Sequence, residues 1–587
     1  MKRKTLNAAL LAAGLALHSL CASAAGRADL TGLGTLGGTF SAGYGINASG
    51  QVVGEAMTAG EQQLRAFLAT GGVMQDLGTL GGTHSVALAV SANGSVVGWA
   101  IDAAEIPHAF LYTSGTMQDL GTLGGSYSTA SGINASDQVV GMAHTAAGAD
   151  RAFLHNAGTM FDLNRVASAG WVLTSGAAIN DHAQIAGTGY YNGDAQAFRL
   201  TLHPDWQGGN GSWSDASRWG FAGMGSFGIT PGAPHDVVIR PTTSATVQGP
   251  GDASVRTLVV SAPDGHFATL ELSGGSIDTQ YGSTLGANGT LAGGGRLGGA
   301  ITIQVGGRVR VRDFETMQLA GSVSNAGRID VQAAFGRAGL DVGGEMVSPA
   351  GSEINLLNAD LYLRGGVKNG GRISIAGLTT VGGGVNNAGG QVNVSGVASH
   401  AIFWDDFVNN GSVNVTGGST ATFFGMVNGR GDFGGAGTKN FAGGYAPGNS
   451  AAQVSLDGSV NFEGGALEME LGGTQAGSEH DKLVLAGPVS LAGATQLAVV
   501  WWNGWAGQAG DSYDLFDWNG GISGSFAGIS LPTLASGLVW DSTQLYGTGE
   551  LSITAVPEPE SWALLLAGLA AVGYLVRRRS GASAGRG

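Results

Sequence analysis

Cysteine is almost absent from this chain. Its 587 residues include a single cysteine, Cys21, within an N-terminal segment that has a basic start, an apolar middle and an Ala-Ser-Ala end. This pattern is typical of a secretory signal peptide, and we expect cleavage after Ala24, with Ala22 and Ala25 completing the small-residue site. A lipoprotein signal is the alternative, but Leu20 stands where such signals need a small residue. The exported mature chain therefore has neither disulfides nor thiolate chemistry.

Positive charge is also scarce. The chain has 27 Lys and Arg against 42 Asp and Glu, a net charge of −15. Several of the basic residues lie at the two ends. Between the ends, acidic residues outnumber basic ones by about two to one, a balance that repels nucleic acid and anionic lipid. We therefore expect no nucleic-acid partner.

Proline and long helical patterns are rare, whereas glycine is abundant. There are 107 glycines and 13 prolines, with no collagen period. So much glycine between short alternating apolar runs indicates many short strands joined by tight turns. Disorder is the competing interpretation, but 43% of the residues are hydrophobic and regularly arranged. The sequence predicts an all-β protein of more than one domain.

The first 200 residues contain four repeats of about 43 residues. The string GTLGG begins at Gly34, Gly78 and Gly121, and it is followed by variants of GINA, QVVG, HAFL and MQDL. His108-Ala109-Phe110 and its counterparts resemble the HAF repeats of exported bacterial proteins. Four short strands per unit match the size of a propeller blade.

Residues 25–203 are therefore predicted to form a β-propeller-like domain. Asp29-Leu30 is expected to supply the outer strand that the fourth unit lacks, which would close the ring. A β-prism or a short solenoid remains the alternative. Asp76, Asp119 and Asp162 recur at one register and could bind a cation, although an Asp there more often caps a turn.

Three tryptophans, Trp206, Trp213 and Trp219, open the second half. Their spacing resembles the opening of autotransporter-like passenger regions. They could form a platform on which sugars stack, or an aromatic plug that covers the first coil of a solenoid, which is the interpretation we favour. Residues 204–235 are thus predicted to be a linker and cap.

Residues 236–450 show a shorter repeat of about 20 residues. Asn-containing turns precede alternating strands such as NAGRIDV and NGGRISI. The alternation predicts a right-handed parallel β-helix whose turn asparagines form an amide ladder. Residues 451–555 are expected to be a β capping region.

Some β-helices are polysaccharide lyases, so acidic pairs in this region are of interest. Asp405-Asp406 is flanked by Phe403, Trp404 and Phe407, and no Lys or Arg lies within ten positions. A lyase or hydrolase needs calcium ligands beside a base. We therefore expect no enzyme, no cofactor and no metal, with a lyase as the alternative. Trp404 is a further candidate for glycan binding.

The tail is the most specific motif. Val556-Pro557-Glu558-Pro559 precedes an apolar run, and Arg577, Arg578 and Arg579 end it. This order resembles a PEP-CTERM sorting signal. The resemblance implies a C-terminal transmembrane helix over residues 556–580, cleavage by an exosortase-type enzyme, and a link to exopolysaccharide and biofilm. Residues 581–587 would form a cytoplasmic tail.

Together these patterns predict a non-enzymatic scaffold or adhesin of a Gram-negative bacterium. It would pass the Sec translocon behind the 1–24 signal peptide and anchor in the inner membrane. It would then reach the cell surface or matrix, with exopolysaccharide as a partner. A carbohydrate-binding module that uses Trp206, Trp213, Trp219 or Trp404 is the alternative.

Overall fold

The computed structural model describes residues 29–60, 62–221, 225–226, 228–448, 450–556 and 561–580, with side chains in the last range given for 564–578. The predicted signal peptide and its cleavage residues Ala22, Ala24 and Ala25 lie outside these ranges, as do Pro557, Glu558, Pro559 and residues 581–587. The chain divides into two compact units, which meet in sequence between Leu202 and His203.

The first unit consists of small antiparallel sheets. Its described residues form three four-stranded sheets and one three-stranded sheet, each with its strands in sequence order. The strands are β1 (Gly37–Ile46), β2 (Val52–Thr58), β3 (Leu64–Thr70), β4 (Val73–Asp76); β5 (Gly81–Val90), β6 (Val96–Asp102), β7 (Pro107–Thr113), β8 (Thr116–Asp119); β9 (Gly124–Ile133), β10 (Val139–Thr145), β11 (Asp150–Asn156), β12 (Thr159–Asp162); β13 (Trp171–Ile179), β14 (Gln184–Tyr191) and β15 (Asp194–Thr201), with a 3₁₀ turn over Leu163–Arg165.

Neighbouring sheets pack face to face. Val53, Leu68 and Leu77 of the first sheet share a cluster with Phe110 of the second. The second and third sheets share an equivalent cluster around Phe153. Each repeat therefore buries its apolar faces against its neighbours, as stacked repeats do.

The glycine of each QVVG segment follows from a bulge in the first strand of its sheet. β1 and β2 change register next to Gly43, and β5 and β6 do so next to Ala87. The bulge brings a carbonyl over the glycine, so that a Cβ on Gly54 or Gly98 would overlap Ala42 O or Val86 O. Only glycine leaves room for this approach.

The structure does not show the propeller-like ring that the repeats predict. In the described residues the first and fourth sheets share neither a strand pairing nor a hydrophobic cluster. Asp29 and Leu30 lie in no strand, and the fourth sheet has three strands instead of four. Strand periodicity fixes the sheets, but the angle between successive sheets, on which ring closure depends, comes from side-chain packing.

The second unit is a parallel β-solenoid of about 11 turns. A typical coil has three short strands, such as Val367–Asn369, Arg372–Ala376 and Leu378–Gly382, each paired in parallel with its counterparts in the next coil. Alternate side chains point inward, so that Val367, Asn369, Ile373, Ile375 and Val381 are buried. Stacked coils thus share one continuous core.

The first strands of this unit build its N-terminal end and opening coils. They are β16 (Asp205–Trp206), β17 (Gly211–Ser212), β18 (Trp219–Phe221), β19 (Gly225–Ser226), β20 (Asp236–Ile239), β21 (Ala245–Gln248), β22 (Asp252–Val255), β23 (Thr257–Val260), β24 (Ala268–Thr279), β25 (Ser283–Leu285), β26 (Gly289–Gly298), β27 (Ile301–Ile303), β28 (Arg308–Val311), β29 (Thr316–Leu319), β30 (Val323–Asn325), β31 (Arg328–Gln332), β32 (Ala338–Val342), β33 (Met346–Ser348), β34 (Glu353–Leu357), β35 (Ala359–Leu363), β36 (Val367–Asn369), β37 (Arg372–Ala376) and β38 (Leu378–Gly382), with a 3₁₀ turn over Ala216–Arg218.

The remaining strands continue the coils and end in an antiparallel sheet and a helix. They are β39 (Val385–Asn387), β40 (Gln391–Val394), β41 (His400–Phe403), β42 (Phe407–Asn409), β43 (Ser412–Val415), β44 (Thr420–Phe423), β45 (Val427–Gly429), β46 (Asp432–Gly434), β47 (Thr438–Phe441), β48 (Tyr445–Pro447), β49 (Gln453–Leu456), β50 (Ser459–Phe462), β51 (Ala466–Leu471), β52 (Lys482–Leu485), β53 (Val489–Leu491), β54 (Gln496–Trp501), β55 (Ser512–Asp514), β56 (Phe516–Trp518), β57 (Ile522–Gly524), β58 (Gly528–Ser530), β59 (Leu538–Asp541), β60 (Glu550–Ala555) and α1 (Ser561–Ser580).

The solenoid extends beyond the predicted boundary at residue 450. β51 pairs in parallel with β54, and β54 with β58. The antiparallel cap is smaller than expected and consists of β55, β60 and β59. Segments such as LEMEL keep the two-residue alternation of a coil wall. Longer insertions between these segments interrupt the repeat of about 20 residues, so the sequence did not reveal these coils.

Candidate functional site

The tail begins at an ordered strand. β60 pairs with β59 and β55, and the backbone N–H of Val556 donates to Gly537 O across 2.9 Å. The Pro-Glu-Pro residues follow immediately, outside the described residues. The backbone is therefore fixed up to the first residue of the sorting segment.

Helix α1 carries the apolar run of the tail. Its described large apolar side chains are all exposed to solvent: Leu564, Leu565, Leu566, Leu569, Val572, Tyr574, Leu575 and Val576. Arg577 and Arg578 follow them, and the side chain of Arg579 is outside the described set. The helix thus exposes apolar side chains around its circumference.

The helix does not meet the requirements of a membrane span. Within the described ranges, no helix combines enough length with enough hydropathy to cross a bilayer. The transmembrane helix predicted for residues 556–580 is therefore not shown. The apolar run is short for this purpose, because a bilayer core needs about 20 apolar residues.

The three tryptophans at the start of the solenoid are buried. The Trp206 and Trp219 ring centroids lie 5.0 Å apart, and those of Trp213 and Trp219 4.9 Å apart, both edge to face. The Trp219 indole N–H donates to Trp213 O across 2.7 Å, and that of Trp206 to Gly209 O across 3.0 Å. These rings share the solenoid core and so cover its first coil. They offer no open face to a sugar.

Trp404, by contrast, is exposed. Its ring stacks on that of Phe424 with centroids 4.5 Å apart and an interplanar angle of 13°. The two side chains are 51% and 43% exposed. They belong to successive coils, because Phe403 pairs with Phe423. The pair forms a flat aromatic ridge on the outer face of the solenoid.

The next positions along this column are small. Phe423 pairs with Phe441, which places Ala442 beyond Phe424. On the other side, Val381 pairs with Phe403, which places Gly382 before Trp404. Tyr362, half exposed, pairs with Gly382 one coil further. Gly382 and Ala442 thus add little bulk beside the pair, and the Tyr362 ring lies over Gly382, within 3.1 Å of an added Cβ.

A row of hydrogen-bonded polar side chains crosses the coils that carry the ridge. His400 Nε2 lies 2.9 Å from Thr422 Oγ1, Asn440 Nδ2 donates to Thr422 Oγ1 across 3.3 Å, and Asn461 Nδ2 donates to Asn440 Oδ1 across 2.9 Å. Thr422 is buried, whereas His400, Asn440 and Asn461 are partly exposed.

The predicted acidic pair caps turns. Asp405 Oδ2 accepts from Gly383 N across 2.6 Å, and Asp406 Oδ1 accepts from Met426 N across 3.0 Å. Neither carboxylate is ion-paired with a cation in the described part of the chain. Both oxygens serve the turns between coils.

The recurring aspartates of the first unit also cap turns. Asp76 Oδ1 accepts from Gly78 N across 2.8 Å, and Asp119 Oδ1 from Gly121 N across 2.7 Å. Asp162 Oδ1 accepts from Asn164 N across 2.9 Å. The turn-capping interpretation is confirmed. No group of three or more His, Cys, Asp or Glu side chains suited to a metal occurs among the described residues.

Two buried ionisable groups were not expected from the sequence. Lys439 is fully buried, and its Nζ donates to Gly435 O across 2.6 Å and to Asp457 O. Burial lowers the pKa of Lys439 to about 8. Asp481 accepts from Ala452 N, and burial raises its pKa to about 7 despite this bond. The sequence signal for Lys439 is its inward position in the alternating strand Thr438–Phe441.

The tail matches a known family of sorting motifs. A family model described as the PEP-CTERM protein-sorting motif matches residues 555–579. The motif indicates export and sorting by an exosortase-type enzyme. No curated protein is similar enough to the chain to count as a relative. The resemblances to HAF repeats and to autotransporter-like passengers are not shown and stay predictions.

Proposed function

We propose that this chain is a non-enzymatic scaffold or adhesin of the surface or extracellular matrix of a Gram-negative bacterium. The observation that carries the proposal is the sorting motif at residues 555–579, which follows without a linker the last strand of the antiparallel cap that ends the β-solenoid unit. The cell would thus sort and release a rod built from stacked coils.

The solenoid suits a mechanical role. Parallel main-chain pairings run from coil to coil through the described unit, and the core is continuous. Because each inner coil among the described residues pairs with a coil on either side, its strands offer proteases no free edge. Adhesion and matrix assembly need this kind of resistance.

Processing would leave the body intact. The residues of the Pro-Glu-Pro turn lie after β60 and before α1, so a cut there removes no strand. The removed part carries the exposed apolar side chains of α1, which the inner membrane would cover until cleavage. The Sec translocon would deliver the chain to that membrane.

The test is to follow the C-terminus. The protein is produced in its host with and without the exosortase, and the mass of the exported form is measured. We expect a product that ends near Pro559, outside the cell, in the first strain only. Glu558→Ala should block processing, whereas Glu560→Ala, just past the Pro-Glu-Pro triad, serves as the matched control. A full-length, membrane-held product in both strains would contradict the proposal.

A second candidate function is carbohydrate binding by the Trp404–Phe424 ridge. Trp404 and Phe424 form a stacked aromatic pair that is exposed on the solenoid surface, and stacking on sugar rings would use it. Exopolysaccharide is the ligand class in view. Because the body is acidic, a neutral polysaccharide fits better than an acidic one.

The glycan hypothesis is tested by affinity electrophoresis on a panel of neutral and acidic polysaccharides. Retardation by a neutral polysaccharide that disappears in Trp404→Ala and in Phe424→Ala would support it. Tyr281→Ala is the control, since Tyr281 is an aromatic residue outside the ridge that is even more exposed than Trp404. If the panel gives no retardation, or if all variants behave alike, the ridge is not a glycan site.

A further inference from the structure

The repeats of the first unit are joined by one interface, which occurs twice with the same hydrogen bonds. Where the first sheet meets the second, Leu77 N donates to Ala66 O within the first repeat, across 2.9 Å. Ala66 N in turn donates to Ser85 Oγ of the second sheet, also across 2.9 Å. Between the second and third sheets, Ala109 takes the place of Ala66, with bonds of the same lengths. One alanine thus joins its own fourth strand to the next sheet.

The serine of this interface also marks the register. Ser85 Oγ donates to Gly78 O across 2.5 Å, and Ser128 Oγ to Gly121 O across 2.6 Å. Ser41 Oγ donates to Gly34 O across 2.7 Å in the same way. Gly34 is therefore the counterpart of Gly78.

This register assigns residues 29–32, before the first sheet, to the position that a fourth strand takes in the repeats. Counting back from Gly34, Leu33 corresponds to Leu77 and Leu30 to Met74. The sequence alone suggested instead that Asp29-Leu30 matches Asp76-Leu77, which differs from this register by three positions. Leu33 packs on the first sheet, as Leu77 packs on the second. Residues 29–32 would correspond to β4, yet they are exposed and in no strand.

At the C-terminal end of the unit, the edge of β15 lacks the fourth strand that completes this interface in the other sheets. β15 pairs with β14, with Ala197 opposite Thr188 as Ala66 is opposite Glu55. The N–H and C=O of Ala197 therefore point away from β14, and no described group bonds to them. The fourth strand that would do so is missing from this sheet.

A groove lies beside this vacant edge. It has a volume of about 200 Å³, and its lining includes Trp171, Leu173, Phe198 and Leu200. In the inner sheets, Met74, Met117 and Met160 pack against the clusters that contain Phe67, Phe110 and Phe153. Leu30 is the counterpart of those methionines, and Phe198 of those phenylalanines, so the groove is where Leu30 would lie.

We propose that residues 29–32 of one chain add as a fourth strand to β15 of a second copy. Leu33 N would then donate to Ala197 O of the second copy, and Ala197 N to Ser41 Oγ, which repeats the inner interface. Strand addition to an open edge is a common mode of association. Arg199 replaces Leu68 and Leu111 on this face, as suits a surface that is exposed before assembly.

A second copy, and not the same chain, supplies the strand because of the tether. Only Thr31 and Gly32 separate Leu30 from Leu33, which is packed on the first sheet. Three steps of extended chain, about 10 Å, join Leu30 to Leu33. Within one chain Leu30 is fully exposed, so it does not lie in the groove beside its own β15.

The first experiment uses the exported, processed protein in sedimentation velocity over a range of concentrations. We expect dimers or longer assemblies, and in Leu30→Asp a self-association weaker by about tenfold or more, since a buried leucine is replaced by a charge. Leu30 is fully exposed within one chain, so the variant should fold normally. Val305→Asp, at an exposed apolar site of the solenoid, is the control. A wild-type protein that is monomeric at all concentrations would overturn the proposal.

The second experiment identifies the strand and its source. Met74 pairs with Ala69, which makes Leu30 and Leu200 the equivalent cross-strand pair. The mature chain is expected to lack cysteine, so Leu30→Cys combined with Leu200→Cys reports this contact alone. A disulfide-linked dimer or ladder on a non-reducing gel, absent from each single variant, is expected. A disulfide within one chain would mean that the ring closes on itself, and the absence of any disulfide would mean that the strand does not dock; either result overturns the proposal.

Discussion

Asn387 accepts a hydrogen bond from Asn369 Nδ2 across 2.8 Å and donates one to Asn409 Oδ1 across 2.9 Å. The three side chains are fully buried at one corner of successive coils. Asn409 then donates to Gly431 O across 2.9 Å. Each Nδ2 group thus finds an acceptor in the next coil, while Asn369 Oδ1 at the start of the ladder is buried without a partner among the described residues. These bonds fix the register of the coils.

Removing the middle amide should destabilise the solenoid. Asn387→Ala leaves the Asn369 donor and the Asn409 acceptor buried without this partner, and we expect the free energy of unfolding to fall by about 2–4 kcal/mol. Chemical denaturation followed by circular dichroism measures this change. Asn393→Ala, on the outward side of the next strand, is the control and should cost less than about 0.5 kcal/mol. Equal losses in both variants would show that the ladder adds no stability.

The sequence predicted this ladder, because asparagine precedes each alternating strand at the coil spacing. It also predicted the strands of the repeats. It favoured a buried plug for the three early tryptophans but could not establish the exposure of the Trp404–Phe424 pair, whose neighbours Gly382 and Ala442 each lie one coil beyond the pair. Likewise, the repeat pattern does not show whether the small sheets close into a ring. That depends on side-chain packing, such as that of Leu33 and Leu36 on the first sheet.

The repeat glycines can be tested at Gly98. In Gly98→Ala the new Cβ would overlap Val86 O, so the bulge between β5 and β6 must shift. We expect a loss of about 1–3 kcal/mol, as for other overpacked sites. Thermal unfolding of the exported protein gives the measurement. Gly251→Ala is the control, because nothing lies within 4 Å of its added Cβ; if it lowers the stability as much as Gly98→Ala, steric overlap is not the reason.

Lys439 should give the solenoid a pH-dependent stability. Since burial lowers its pKa in the folded state to about 8, the folded protein releases this proton at lower pH than the unfolded chain does. The unfolded state then binds more protons between about pH 8 and pH 10, and the contribution of Lys439 to stability rises with pH across that window.

The variant Lys439→Met removes this contribution and leaves Gly435 O and Asp457 O without their donor. We expect it to cost about 1–3 kcal/mol at pH 7, and the difference from the wild type to grow between pH 8 and pH 10. Denaturation at several pH values gives both quantities. Lys368→Met, at an exposed lysine paired with Glu345, should show neither effect. A difference that shrinks with rising pH would mean that the buried amine is not the group that titrates.

Substitution of a buried tryptophan should lower the stability of the solenoid, whereas substitution of the exposed Trp404 should not. Trp219→Leu removes a fully buried ring that contacts both Trp206 and Trp213, and we expect a loss of about 2–4 kcal/mol. Because each coil depends on its neighbours, the first coils should open before the rest, which hydrogen exchange of β20 and β23 would detect. Trp404→Leu should leave that exchange unchanged, since its ring lies outside the core. If both variants open the same coils, the ridge is part of the fold and its exposure carries no functional meaning.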